Sequence, residues 1–94
     1  MPTMNRQEVD TALAGMADWS LENDQIVRRY KAASFHRAIG FVVQTGILAD
    51  KAGHHPDIDI RYDTVTIALA THSEGGITEK DFALARQIDA AFTE

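Results

Sequence analysis

The sequence predicts an α+β fold: a four-stranded antiparallel sheet with three helices on one face, in the order α-β-β-α-β-β-α. Three segments repeat their apolar residues at helical spacing, and four short segments alternate at period two. Each pair of short segments is joined by only two or three residues, a connection that antiparallel neighbours use.

Asn5 can cap a first helix running to about Ala17, with Val9, Ala12, Leu13 and Met16 on one side and Gly15 weakening its end. Trp19-Ser20-Leu21 reads as a short strand, Glu22-Asn23-Asp24 as a polar turn, and Gln25 to Ala33 as the partner strand. In that strand Ile26, Arg28, Tyr30 and Ala32 share one face, and Val27, Arg29, Lys31 and Ala33 the other.

Ser34 is a good cap for the longest helix, about Phe35 to Ala52, and Gly53 can end it. Phe35, Ile39, Val42, Val43, Gly46 and Ile47 form a wide stripe, and Phe41 and Leu48 extend it round a second side. A helix apolar on more than one side packs on more than one side, and in so short a chain the expected second partner is another subunit.

After Pro56, Ile58 and Ile60 face one way and Asp57, Asp59 and Arg61 the other; Tyr62-Asp63 is a tight connection. From Thr64 to Thr71, the residues Val65, Ile67 and Leu69 make a large face for the helices. Thr66, Ala68 and Ala70, with His72 at the end, make a small polar one. Ser73 to Gly76 is a loop. Thr78 with Asp81 resembles a capping box that opens a last helix, about Glu79 to Phe92, burying Phe82, Ala85, Ile88 and Phe92.

The bulk numbers restrict function. Ninety-four residues are expected to form a single domain, 1–94. The net charge is −5, and no basic run exceeds Arg28-Arg29-Tyr30-Lys31, which argues against a nucleic-acid partner. The absence of cysteine removes disulfides, thiolate nucleophiles and cysteine-ligated metals. Met1 to Arg6 lacks an apolar signal core, and no apolar run is long enough for a membrane span, so a cytoplasmic protein is expected.

The chemistry concentrates at Gly53-His54-His55-Pro56, which holds two of the four histidines. Pro56 forces His55 out of helical conformation, so the two side chains diverge. A hairpin of residues 57–62 and 64–72 would return His72 beside them. Asp50 lies one helical turn back, and Asp81 follows behind the His72 loop. Three readings compete for these groups. One is a surface turn with unremarkable histidines, the usual meaning of an isolated His-His-Pro. Another is a zinc site, disfavoured because adjacent diverging histidines rarely ligate one ion and no H-x-x-x-H pair is present. The third is metal-free proton transfer, since an imidazole titrates near pH 6.5, at about physiological pH. No phosphate loop, GxGxxG or nucleophile elbow is present.

Asp50-x-x-x-His54-His55-Pro56, followed by Tyr62, His72 and Asp81 at their spacings, resembles the signature of the pterin-4a-carbinolamine dehydratases. Phe35-x-x-Ala38-x-Gly40-Phe41, Thr71-His72 and the element order extend the resemblance from about Trp19 onward. The resemblance implies dehydration of 4a-hydroxytetrahydropterin to quinonoid dihydropterin and water, with no metal and no cofactor, in support of tetrahydropterin recycling. It implies His54 and His72 as the acid–base pair, with His55 holding the pterin. Asp50, Pro56, Ile58, Thr71 and Asp81 would contribute to binding, Asp50 by accepting from the amino-pyrimidine edge. It implies a homodimer or homotetramer. The alternative on the same fold is a non-catalytic pterin-binding or protein-assembly factor. The chain departs from the family pattern in carrying Gly53 where many members have an acidic residue, Ile58 where many have Trp, and Ser73 where an acidic residue is common.

Overall fold

The computed structural model describes residues 2–93; Met1 and Glu94 of the expected domain lie outside the described residues. Its elements are α1 (Arg6–Ala14), β1 (Ser20–Glu22), β2 (Gln25–Lys31), α2 (Phe35–Ala52), β3 (Asp57–Arg61), β4 (Thr64–Leu69) and α3 (Glu79–Ala91), with a 3-10 turn at His72–Glu74. The four strands form one antiparallel sheet in the order β1-β2-β4-β3. Class and element order are those expected from the sequence. Several ends are shorter: α1 stops at Ala14 where Gly15 takes the cap, β2 stops at Lys31, and β4 at Leu69.

The caps are local and legible. Asn5 accepts from the Glu8 backbone N–H while Glu8 returns a bond to the Asn5 backbone. Ser34 accepts from the Arg37 backbone N–H at 3.4 Å. Asn23 and Asp24 both have positive φ (50° and 62°), the geometry of a two-residue turn whose twist matches the flanking strands.

The core lies between the helices and one sheet face. Ile26 and Tyr30 of β2 and Val65, Ile67 and Leu69 of β4 are buried against Val9, Ala38, Phe41, Phe82, Leu84, Ala85 and Ile88. On the opposite face of β2, Arg29 and Lys31 are exposed while Val27 is buried. Tyr30 anchors one end of the core, with its ring 4.7 Å from Phe41 and 4.9 Å from Phe92. Its hydroxyl donates to Asp89, which also accepts from Trp19 Nε1 (3.0 Å) and Arg28 Nη1 (2.9 Å). Burial, then this carboxylate, push the Tyr30 hydroxyl well above the ordinary phenol range.

The longest helix buries one apolar side and exposes another. Its core face is Ala38, Phe41, Thr45 and Ala49, with Val42 and Leu48 partly buried. Most of the apolar stripe points outward: Phe35, Ile39, Val43 and Ile47 are 51%, 40%, 58% and 52% exposed. Small residues at 38, 45 and 49, with Phe41, make the buried side of α2, and the large residues are left on the far side. Tyr62, 72% exposed, stacks on Phe35 with ring centroids 6.4 Å apart and extends this apolar row.

Candidate active site

The break after α2 sets the site. Gly53 adopts φ 61°, ψ 32°, the left-handed conformation that glycine takes without Cβ strain. The His54 N–H then bonds to Ala49 O (3.1 Å) and the Gly53 N–H to Asp50 O (3.2 Å), a Schellman closure. The Gly53 departure from the family pattern thus has a local cause, the αL residue that ends α2. The turn releases the chain into β3 with the two histidine side chains pointing apart. His54 turns inward, with 10% of its side chain exposed, while His55 stays 65% exposed.

His54 Nε2 meets Asp81 Oδ1 at 2.5 Å. Asp81 is fully buried and sits in the first turn of α3, where it completes the capping box with Thr78. Its second oxygen accepts from the Thr78 backbone N–H (2.9 Å) and the Thr71 hydroxyl (2.9 Å). Since Thr71 gives its only hydroxyl proton to Asp81, the Thr71–Thr78 contact (2.8 Å) has Thr78 as donor, and Thr78 Oγ1 accepts from the Lys80 N–H (3.2 Å). Asp81 is the common acceptor. A His54 ring that donates to it does so from Nε2, and among the described residues His54 Nδ1 has no protein hydrogen-bond partner. An oriented imidazole backed by a buried carboxylate is an arrangement for moving protons.

His54, His55 and His72 line one cleft of about 270 Å³, together with Gly53, Ala70, Thr71, Ser73 and Lys80. The β3–β4 hairpin and the closed loop after it bring His72 there. Thr71 and Gly76 exchange backbone bonds of 2.8 and 3.3 Å, and Gly75 turns at φ 75°. Asp50 reaches the site through His55 Nε2, at 2.9 Å. Both partners are largely exposed, so the pair contributes about 0–1 kcal/mol and orients more than it stabilises.

The structure therefore brings the three histidines to one cleft, with Asp50 and Asp81 each bonded to one of them. Asp81, expected behind the His72 loop, bonds to His54 and to Thr71 just before that loop. The Thr71 side chain is 2% exposed and its hydroxyl holds Asp81. Pro56 and Ile58 are not among the lining residues; Ile58, 38% exposed, projects from β3 in register with Ile67. Sequence reasoning missed Lys80 and Ser73 as lining residues, and Thr78 as a member of the buried set. The capping pattern was the signal for Thr78, read only as a helix start. Among the described residues no group of three His, Cys, Asp or Glu side chains is arranged to hold a metal ion. Among the described residues, a separate hollow of about 450 Å³ is lined by His36, Arg37, Gly40, Phe41, Gln44, Ala91 and Thr93, none of them a carboxylate.

Fold and site define a small α+β protein with a cleft of histidines and a buried aspartate at the end of its long helix. The family model for pterin 4 alpha carbinolamine dehydratase matches residues 2–91, and the chain belongs to that family. It is 56% identical over 89 residues to a Chloroflexus aurantiacus protein named "Putative pterin-4-alpha-carbinolamine dehydratase", covering 95% of this chain and 96% of that one. A Nocardia farcinica protein of the same name is 49% identical over 86 residues, covering 92% and 90%. The crystal structure of a transcriptional coactivator/pterin dehydratase from Brucella melitensis superposes with a TM-score of 0.89 at 35% identity, covering 95% of this chain and 97% of that one. A pterin dehydratase-like protein identified as a RuBisCO assembly factor in the alpha-carboxysome shares the fold at a TM-score of 0.63 and 23% identity, covering 78% and 84%.

Proposed function

We propose that this chain, acting as a single domain, dehydrates 4a-hydroxytetrahydropterin to quinonoid dihydropterin and water by histidine acid–base catalysis without a metal or cofactor. The observation that carries the reading is the buried Asp81–His54 pair opening on a cleft shared with His55 and His72. In the reaction a proton goes to the 4a-hydroxyl, the C4a–O bond breaks with its electron pair leaving on water, and the adjacent ring nitrogen gives up its proton as the C=N bond forms. His54, with Nδ1 free and Asp81 behind Nε2, suits the base, because the carboxylate stabilises the imidazolium that forms. His72, exposed at the cleft mouth, suits the acid and exchanges protons with solvent. His55 and Asp50 hold the pterin, with Pro56 and Ile58 alongside; Thr71 acts through Asp81.

The exposed row Phe35, Ile39, Val43 and Ile47 supports a homodimer or homotetramer that covers it. No described helix is long and apolar enough to cross a membrane. We place the reaction in the cytoplasm, in tetrahydropterin recycling, with neither nucleic acid nor membrane as partner. The observation favouring the second reading, a non-catalytic binder or assembly factor, is the half-exposed Ile58 where an aromatic platform would grip a ring. The test is carbinolamine breakdown by the purified protein. His54→Ala and His72→Ala should each slow it about 10²–10⁴-fold. His36→Ala, in the separate hollow, should leave it unchanged. Equal damage from His36→Ala would overturn the site assignment.

A further inference from the structure

His72 stands on a loop with little packing of its own, since residues 72–75 are all exposed. Two backbone bonds close the loop, from the Thr71 N–H to Gly76 O at 2.8 Å and from the Gly76 N–H to Thr71 O at 3.3 Å. Toward β1 a hollow of about 360 Å³ separates Gly75 and Gly76 from Leu21 and Asp24.

The loop is held instead by residues 3 and 4. The Met4 N–H bonds to Ile77 O at 2.8 Å, one residue beyond the Thr71–Gly76 closure. Met4 packs on the core, in which Ile77 is buried. Thr3 lies against Gly76, so closely that a Cβ there would stand 3.2 Å from the Thr3 methyl and 3.6 Å from Thr3 Cβ. A hydrogen bond at Ile77 and a van der Waals contact at Gly76 restrain adjacent residues, which limits rotation of the loop as well as its translation. The strap is itself anchored. Asn5 and Glu8 close a capping box directly after Met4, as Thr78 and Asp81 do directly after Ile77. Residues 3 and 4 therefore join the start of α1 to the start of α3, where Asp81 holds His54.

Resting on the dehydratase reading, we propose that Thr3 and Met4 are positioning residues for the reaction, a strap that sets where His72 stands over the cleft. A misplacement of 1 Å costs about 10²-fold in rate, so a loop displaced by roughly 0.3–0.5 Å loses about four- to tenfold.

The experiment measures kcat and KM for carbinolamine breakdown by the full chain. Gly76 is not among the positive-φ glycines, so Gly76→Ala adds no backbone strain and acts by pressing on the Thr3 methyl. It should lower kcat about four- to tenfold and leave KM within about twofold, because His72 acts in the chemical step. Thr3→Ser keeps Cβ and removes the methyl; it should cost about twofold alone and bring Gly76→Ala back to that level in the double variant. Met4→Pro deletes the N–H donor and should lower kcat by about the same four- to tenfold, with faster amide exchange at Thr71 and Gly76. Gly76→Ala with wild-type kcat, or a loss that Thr3→Ser does not relieve, would overturn the strap, and so would a folded Met4→Pro protein with unchanged kcat. Wild-type protein without activity would overturn the dehydratase reading and the strap's role with it, an outcome distinct from an active wild type whose variants keep its kcat.

Discussion

Replacing Asp81 with Asn changes one atom and reverses the logic of the site. Asp81 now accepts three hydrogen bonds: His54 Nε2 at 2.5 Å on one oxygen, and the Thr71 hydroxyl and Thr78 N–H, both at 2.9 Å, on the other. The Thr78 N–H cannot turn into an acceptor, so the Asn oxygen stays on that side and the NH₂ faces His54. His54 must then accept at Nε2, which moves its own proton to Nδ1 and removes the free lone pair. The rate should fall about 10²–10⁴-fold, the usual contribution of a positioned acid or base. Stability should fall less. Hydrogen bonds to a charged group are worth about 1.5–3 kcal/mol against about 0.5–1.5 for neutral ones, so demoting this set costs about 2–3 kcal/mol. A domain of this size has about 5–14 kcal/mol in hand, and the variant remains folded with a Tm lower by roughly 10–20 °C. The assays are carbinolamine breakdown, thermal denaturation followed by circular dichroism, and nitrogen NMR of the His54 ring. A folded Asp81→Asn protein with a rate within about threefold of wild type, or a wild-type His54 carrying its proton on Nδ1, would refute the reasoning.

Three further outcomes are expected. Val43→Glu places a charge in the middle of the exposed α2 row and should dissociate the oligomer in sedimentation, with monomer stability changed by no more than about 0.5 kcal/mol; an unaltered mass would deny that row a role in assembly. Gly53→Ala meets open space but must hold φ 61°, so it should lose about 1 kcal/mol in urea unfolding; an unchanged midpoint would show that the helix end is not strained by a side chain. Because Tyr30 keeps its proton when folded to higher pH than when unfolded, its contribution is complete below the unfolded pKa of about 10 and is lost above it, by up to about 1.4 kcal/mol per pH unit. Unfolding midpoints between pH 9 and 11 should therefore fall more steeply in wild type than in Tyr30→Phe, and parallel slopes would contradict the assignment.

What the sequence revealed and what it withheld divide by range. Caps at Asn5, Ser34, Thr78 and the stop at Gly53 depend on a few neighbouring residues and were legible as such. Alternation in β4 identified the core face of the sheet, because a strand has only two faces to choose between. A helix offers a continuum, and in α2 bulk does not mark the core side. The large residues Phe35, Ile39, Val43 and Ile47 are exposed, and the smaller Ala38, Thr45 and Ala49 are buried. Pairings across long separations were not legible at all. Asp89 collects Trp19, Arg28 and Tyr30 from 59 to 70 residues away. Asp81 was placed near the site by spacing, but its bond to His54 depends on how α3 docks beside the end of α2.

The most direct test of the account is the rate of 4a-hydroxytetrahydropterin breakdown with purified protein, measured with and without EDTA. The account predicts clear acceleration over buffer that EDTA leaves intact and that His54→Ala abolishes. No acceleration would contradict the dehydratase reading, and acceleration lost to EDTA would replace histidine catalysis with a metal site.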